Sequence, residues 1–154
     1  MLTNEEQQKI KQETVKYPHK SAAAIEALML VQKRTGWISD EVLAAVADFL
    51  VMTPAELDGV ATFYNHIFRK PVGKHVIYVC DSISCWVLGY EWLIDRIREK
   101  LDINMGETTA DGRFTLLPHA CLGACHHAPA LMVDEDLYEK VDPSGIDDIL
   151  ASYT

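Results

Sequence analysis

The sequence predicts an α+β or α/β chain in which a bundle of helices is followed by an open α/β sheet. Three observations support this fold class. Apolar residues recur at helical spacing over the first 70 residues, an apolar run of strand length starts at His75, and strand and helix patterns alternate beyond it. The run RKPVG (69–73) separates the two patterns. We therefore predict a helical N-terminal domain at 1–72 and an α/β domain at 73–154.

Four short amphipathic helices are predicted in the first domain. The first carries Ile10 on its apolar face and ends near Pro18, and the second ends at Gly36. The third begins after Ser39, a residue type that caps helices well. The fourth begins at the run TPAE (53–56), where the threonine can cap the helix and the glutamate can close a capping box. These helices must bury their apolar faces against one another or against a neighbour.

The second domain is predicted to open with a strand that is covered on both faces. The run HVIYV (75–79) is almost continuously apolar, and it delivers Cys80 at its end. Apolar positions between Tyr90 and Leu101 then follow helical spacing, which predicts a helix that crosses back over the sheet. Residues 114–117 form the next predicted strand, which leads to a second pair of cysteines.

A hairpin and a helix complete the predicted sheet domain. Residues 130–133 and 137–141 flank the acidic turn 134–136, and the Asp-Pro pair at 142–143 opens a last helix. The order of elements is therefore strand, helix, strand, hairpin and helix. In this open α/β arrangement both cysteine pairs follow strands.

The chain is acidic, and the acidity is concentrated in its second part. The formal net charge is -9; residues 1–70 hold eight Lys or Arg against nine Asp or Glu, whereas residues 71–154 hold six against fourteen. This balance argues against nucleic acid or an anionic membrane surface as the partner. No run approaches the roughly 18 apolar residues of a membrane helix, and the N-terminal run is polar. We predict a cytoplasmic chain without direct membrane insertion.

Four cysteines form two short-spaced pairs, Cys80 with Cys85 and Cys121 with Cys125. Disulfides are disfavoured because cytosolic thiols stay reduced. A structural zinc site tolerates such spacings, but this domain has enough apolar residues to build a core without a metal. Four thiolates on two loops match the two irons of a [2Fe-2S] cluster, which we favour over zinc.

The surroundings of the cysteines suit an anionic cluster of low potential. Residues 81–84 and 122–124 are short loops whose backbone amides can turn toward the sulfurs. Lysine and arginine are absent between Lys74 and Arg96 and between Arg113 and Lys140. Reduction would add negative charge to the acidic part of the chain, so we predict a potential of roughly -400 mV or somewhat above.

Three histidines near the second cysteine pair have a plain interpretation. His126 and His127 follow Cys125 directly and suggest a mixed His/Cys cluster. A Rieske-type cluster takes two histidines on one iron and would leave two cysteines unused. We therefore interpret both residues, and His119 likewise, as solvated polar residues at a loop edge.

The tryptophans and the missing motifs limit the chemistry further. We expect Trp37 to plug the helical domain, Trp86 to shield a cluster from water, and Trp92 to lie on the partly exposed face of its helix. The sequence has no dinucleotide fingerprint, P-loop, nucleophile elbow or HExxH pattern. We therefore predict no catalytic residues, and expect the chain to work beside a subunit that carries a substrate site.

Several motifs resemble the E subunit of bacterial NADH:quinone oxidoreductase, respiratory complex I. The resemblance covers nearly the whole chain. It is carried by the runs IEAL (25–28), QKRTGWI (32–38), GVATFY (59–64), CDSISC (80–85), DGRFTL (111–116), CLGAC (121–125) and AP (128–129).

The resemblance implies a fold and a function. The fold would be a helical N-terminal part and a thioredoxin-like [2Fe-2S] domain, with Cys80, Cys85, Cys121 and Cys125 as the cluster ligands. The chain would be a non-catalytic electron-transfer subunit that exchanges single electrons with FMN. The FMN and NADH would lie on a tightly bound partner subunit, in a complex peripheral to the inner membrane.

Other functions stay open at this point. The chain could serve as the corresponding subunit of an NAD-linked hydrogenase or formate dehydrogenase, as a stand-alone ferredoxin, or as a zinc-stabilised assembly module without a redox role. The apolar residues Phe63, Tyr64, Ile67 and Phe68 could equally pack within the chain or contact the flavin subunit.

Overall fold

A computed structural model describes residues 1–153 of the chain. Two compact units are present, the first covering Met1–Pro71 and the second starting at Val72. That residues 1–72 and 73–154 form two domains, each able to fold on its own, stays a prediction. No helix within residues 1–153 is long and apolar enough to cross a membrane.

The first unit is helical, and local capping signals set the limits of its helices. It comprises α1 (Asn4–Thr14), a 3₁₀ turn (Lys20–Ala23), α2 (Ala24–Thr35), α3 (Asp40–Leu50) and α4 (Pro54–Phe63). Gly36 ends α2 in the left-handed conformation, with φ of 76°. The Ser39 side chain accepts the Val42 N–H at 3.3 Å, and Thr53 and Glu56 form the predicted capping box.

The first helix ends earlier than the sequence pattern indicates. The pattern extends it toward Pro18, but α1 stops at Thr14 and Tyr17 lies in the following turn. The Thr14 hydroxyl donates to the Lys11 carbonyl at 2.8 Å, which competes with continued helix formation. The backbone then tightens, with Lys16 N–H bonded to the carbonyl three residues back.

The helical core consists of the apolar faces of all four helices. It does not enclose Trp37, which the sequence predicts to plug this domain. Ile10, Leu28, Val46 and Leu57 are fully buried in it. Trp37 is only half-buried, and the following residue, Ile38, enters the core instead. The core is therefore closed by an aliphatic side chain and not by the indole.

The second unit is a four-stranded mixed sheet with helices. Its elements are β1 (His75–Cys80), α5 (Ile83–Leu88), α6 (Tyr90–Leu101), β2 (Phe114–His119), a 3₁₀ turn (Cys125–His127), β3 (Leu131–Val133), β4 (Asp136–Tyr138) and α7 (Gly145–Ala151). The strand order is β2-β1-β3-β4. Strand β1 runs parallel to β2 and antiparallel to β3. The predicted order of strand, helix, strand, hairpin and helix is present.

Two details of this unit differ from the predicted elements. The sequence predicts a loop at residues 81–84, but α5 starts within them at Ile83. The hairpin strands β3 and β4 are three residues each, shorter than the predicted 130–133 and 137–141. The turn at Asp134, with φ of 54°, is where the sequence places it, whereas Lys140 takes a positive φ of 48° inside the predicted second strand and interrupts its extended backbone.

The core of the second unit lies on one face of the sheet. Ile77 and Val79 of β1 pack there with Leu93 and Ile97 of α6. Because side chains alternate along a strand, Cys80 points to the opposite face. Val79 therefore holds the end of β1 in the core, while the Cys80 side chain lies on the other face of the sheet.

Candidate metal centre

The first cysteine pair is buried at the end of the central strand. Cys80 is the last residue of β1, and Cys85 lies in α5; each is 2% exposed. Ala124 and Ala130 pack against the two cysteines. The loop that carries the second pair therefore contributes to the same small cluster of buried residues.

The parallel pairing of the two central strands brings the cysteine loops together. Cys80 lies opposite His119, the last residue of β2. Asp81 N–H donates to the His119 carbonyl at 3.1 Å, and Cys80 N–H donates to the Ala130 carbonyl at 3.2 Å. The carboxyl ends of β1 and β2 therefore lie side by side at one edge of the sheet. The two loops that carry the cysteine pairs both start there.

The second pair lies on an exposed loop that is shaped by its own hydrogen bonds. Cys121 and Cys125 are exposed. Gly123 adopts a positive φ of 79°, and its N–H donates to the Cys121 sulfur at 3.4 Å. The left-handed conformation favours glycine and turns this amide toward the sulfur. The expected amide donor to a cluster ligand is therefore present in this loop.

His119 has a contact that the sequence interpretation does not include. Its Nδ1 accepts the Cys121 N–H at 3.3 Å. This bond holds the loop entry against the end of β2. The sequence could not indicate it, because the short spacing of His119 and Cys121 has no motif of its own.

Three of the four cysteines interact electrostatically. Burial, followed by a hydrogen bond with Cys80, raises the pKa of the Cys85 thiol to about 11, against the opposing effect of the Ala130 backbone amide. Cys125 also raises this pKa through its charge. Since thiolates are the metal-binding form, a metal must displace the Cys85 proton when it binds.

The helix that carries Cys85 presents apolar side chains to solvent. Trp86 is 55% exposed, and its shielding of a bound cluster stays a prediction. Ile83, Val87 and Leu88 are exposed as well. We call Ile83, Trp86, Val87 and Leu88 the α5 patch. Neighbouring exposed apolar residues of this kind are typical of a surface that contacts another protein.

The two histidines after Cys125 differ from each other. His126 is exposed, as the sequence predicts. His127 is half-buried, and its Nδ1 lies 2.9 Å from Oε2 of Glu139. The sequence interpretation missed Glu139, because only the fold of the β3–β4 hairpin brings this residue back to the cysteine loop.

Comparisons with known proteins identify relatives along the whole chain. The sequence profile of the family described as thioredoxin-like [2Fe-2S] ferredoxin matches residues 10–154. The chain is 46% identical over 153 residues to the E subunit of NADH-quinone oxidoreductase from Pseudomonas aeruginosa, covering 99% of this chain and 92% of the relative. It is 45% identical over 152 residues to the protein of the same name from Escherichia coli K12, with 99% and 92% covered.

A solved structure shares the fold. A crystal structure of an NAD⁺-reducing [NiFe]-hydrogenase in the air-oxidized state superposes with a TM-score of 0.72 at 24% identity. The match covers 85% of this chain but only 22% of that hydrogenase chain. This likeness concerns the fold alone.

Proposed function

The chain belongs to the thioredoxin-like [2Fe-2S] ferredoxin family and, within it, to the E subunits of NADH-quinone oxidoreductases, and from this premise we propose that it is an electron-transfer component of an NADH:quinone oxidoreductase. It would hold one [2Fe-2S] cluster and exchange single electrons with FMN on a partner subunit that also binds NADH. It would contribute no catalytic residue of its own. The complex would place it on the cytoplasmic side, peripheral to the inner membrane.

The observation that carries the proposal is the meeting of two cysteine pairs at the ends of adjacent parallel strands. Cys80 and Cys85 would provide one pair of ligands, and Cys121 and Cys125 the other. When bound, a [2Fe-2S] cluster takes up and releases one electron at a time.

The residues around the cysteines would tune and protect such a centre. The buried pair, Cys80 and Cys85, excludes water on its side. The Gly123 amide donates to the Cys121 sulfur and would stabilise negative charge there. Because Cys121 and Cys125 are exposed, we propose that electrons enter and leave on their side, where a partner can approach closely.

Exposed apolar residues support a partner subunit for each unit of the chain. In the second unit the α5 patch lies on the helix that contains Cys85. In the first unit Phe63 is 77% exposed and Tyr64 is 42% exposed, whereas Ile67 is buried in the helical core. Within the segment from Phe63 to Phe68, Ile67 therefore packs inside the chain, whereas Phe63 and Tyr64 are available to a partner. We assign Phe63 and Tyr64 to the contact with the flavin subunit.

Metal content and spectroscopy of the purified chain test the cluster. We expect two irons and two sulfides per chain, and an EPR signal on dithionite reduction of about one spin per cluster. Cys85→Ser should abolish or strongly alter the signal, whereas Ser84→Ala in the same helix should leave it unchanged. A colourless protein that contains zinc and no iron would reject the redox function and support an assembly module.

Co-purification with the FMN- and NADH-binding subunit tests the partner. Val87→Ser removes apolar surface from the α5 patch and should weaken capture of that subunit at least tenfold. Val15→Ser is a matched control, because Val15 is also an exposed valine, at 81%, but lies at the end of α1. Equal capture by both variants would contradict the assignment of the patch.

A further inference from the structure

Two histidines and a glutamate form a second group of metal-ligating side chains. His126, His127 and Glu139 offer ligand atoms that all lie within 4.8 Å of one another. The rings of His126 and His127 have centroids 4.2 Å apart. None of the three belongs to the cysteine set, so the cluster proposed above leaves them without a role.

We propose that His126, His127 and Glu139 bind one divalent transition-metal ion of the zinc class, separate from the [2Fe-2S] centre. Two imidazole nitrogens and one carboxylate oxygen form a donor set that zinc accepts, with water as the fourth ligand. Imidazole donors favour such ions over magnesium and calcium, which prefer oxygen ligands alone. The proposal concerns these side chains only and does not depend on the electron-transfer function.

The backbone around the three residues is already fixed by hydrogen bonds. His127 N–H donates to the Ala124 carbonyl at 2.9 Å, which forms the 3₁₀ turn that carries both histidines. Lys140 N–H donates to the His127 carbonyl at 2.7 Å. The segment that carries Glu139 is therefore bonded through Lys140 to His127, the histidine that Glu139 contacts. Binding a metal would not have to order these two segments, which lowers its entropic cost.

The side chains need only a small adjustment to reach a common ion. Metal–nitrogen and metal–oxygen bonds of about 2.0–2.2 Å place tetrahedral ligand atoms about 3.3–3.6 Å apart. His127 Nδ1 and Glu139 Oε2 are closer than that, at 2.9 Å. His126 is exposed, which leaves its ring room to turn. A rotation of this ring, with a separation of His127 Nδ1 and Glu139 Oε2 by about 0.5 Å, would complete the set.

The charge of the hairpin also favours a cation. Asp134, Glu135 and Asp136 precede Glu139 along the same hairpin. Without a metal, the contact between His127 and Glu139 is an exposed pair, a type of interaction that contributes little to stability. A divalent ion would interact with both partners and with the overall negative field of this segment.

Zinc binding to the cluster-loaded, full-length protein tests the proposal. We expect one zinc ion per chain by isothermal titration, with Mg²⁺ binding at least 100-fold more weakly. Glu139→Gln and His126→Asn should each weaken zinc binding at least tenfold. The matched controls Glu91→Gln and His19→Asn each change an exposed residue of the same type outside the group and outside the hairpin, and should bind zinc as the parent chain does.

Cobalt substitution identifies the donor atoms. Co²⁺ at this site should give visible bands of a nitrogen- and oxygen-coordinated ion without sulfur-to-cobalt charge transfer, and the EPR signal of the cluster should persist. Sulfur charge transfer, loss of the cluster on titration, or zinc affinity unchanged in Glu139→Gln and His126→Asn would each overturn the proposal. Circular dichroism of the variants, with the cluster spectrum, shows whether they are folded.

Discussion

Gly73 occupies a position where the chain approaches a neighbouring segment more closely than a side chain permits. A Cβ atom there would lie 2.9 Å from the Gly112 carbonyl oxygen and 3.0 Å from the backbone of Arg113. The Gly73 N–H also donates to the Thr115 hydroxyl at 2.7 Å. The entry to β1 is therefore packed directly on the segment that leads into β2.

We expect Gly73→Ala to destabilise the chain by about 1–3 kcal/mol, because the clash is with backbone that cannot yield without disturbing the strand pair. Gly59→Ala is the matched control. It lies in α4 with nothing within 4 Å of an added Cβ, and should instead stabilise by about 0.5–1 kcal/mol. Urea denaturation measures both; a Gly73→Ala variant as stable as the parent would contradict the close approach.

Local signals at single residues were predictable from sequence, whereas contacts over long separations were not. Thr53, Ser39 and Gly36 act on backbone groups within a few positions, so their residue types were sufficient. The contact between His127 and Glu139 spans twelve positions and depends on a hairpin whose strands proved shorter than predicted. No local pattern contains that information.

At the scale of elements, a half-exposed ion pair joins the first two helices. Glu6 of α1 is 8% exposed, and Arg34 of α2 donates to it from Nε at 2.7 Å and from Nη2 at 3.1 Å. Burial alone would raise the pKa of Glu6, but the bonds from Arg34 and Thr3 outweigh it and lower the pKa below its ordinary value. The ionised form is thus favoured in the folded state.

The lowered pKa of Glu6 predicts the direction of a pH effect. The pair contributes stability above the ordinary glutamate pKa of about 4.3, and this contribution is lost as the pH falls through the lower pKa of the folded state. We expect Glu6→Gln to reduce stability at pH 7 by about 1–2 kcal/mol and to flatten its decline below pH 5. Melting curves from pH 3 to 7 measure this.

Glu5→Gln supplies the control for that experiment. Glu5 pairs with Lys9 on the surface and is 76% exposed, so its substitution should leave the melting temperature unchanged. If Glu6→Gln melts with the same pH profile as Glu5→Gln, the ion pair does not join α1 to α2 in the way described.

Arg69 links three segments of the helical unit. Its Nε donates to Asp58 and its Nη2 to Asp40, each at 2.6 Å, and Nη1 donates to the Ile38 carbonyl. One planar guanidinium thus bonds α4, the start of α3 and the segment before α3. A lysine ammonium cannot reach three such separated acceptors.

We expect Arg69→Lys to destabilise the chain by about 1.5–3 kcal/mol, the range for lost hydrogen bonds to charged groups. Lys70→Arg exchanges the same two residue types at the next, exposed position and should be neutral. Urea midpoints of the two variants provide the comparison, and a neutral Arg69→Lys would show that the three bonds are dispensable.

The predicted and observed elements agree best where periodicity was strong. The helix from Tyr90 to Leu101 and the strand from His75 were predicted from regular apolar spacing and are present. Helix α5 was missed because its six residues are too short to display a period and its apolar side chains face solvent. The pairing of β1 with both β2 and β3 is a long-range property that spacing does not specify.

At the scale of the whole molecule, the uneven charge sets an expectation for the cluster potential. Residues 71–154 hold fourteen acidic against six basic residues and include all four cysteines. An electron added at the cysteines is repelled by this negative field. Salt screens charges that lie beyond a Debye length, about 10 Å at 0.1 M ionic strength. Reduction should therefore become easier as the salt concentration rises.

We expect the potential of the cluster-loaded chain to rise by roughly 20–50 mV between 0.01 and 0.5 M salt. A triple variant, E91Q/E135Q/D148N, neutralises three exposed acids of the second unit. It should start from a higher potential and respond less to salt, because less repulsion remains to be screened. Redox titration followed by EPR measures both proteins. A potential that is independent of salt, or equal in the two proteins, would mean that the acidic residues lie too far from the centre, or are too well solvated, to influence it.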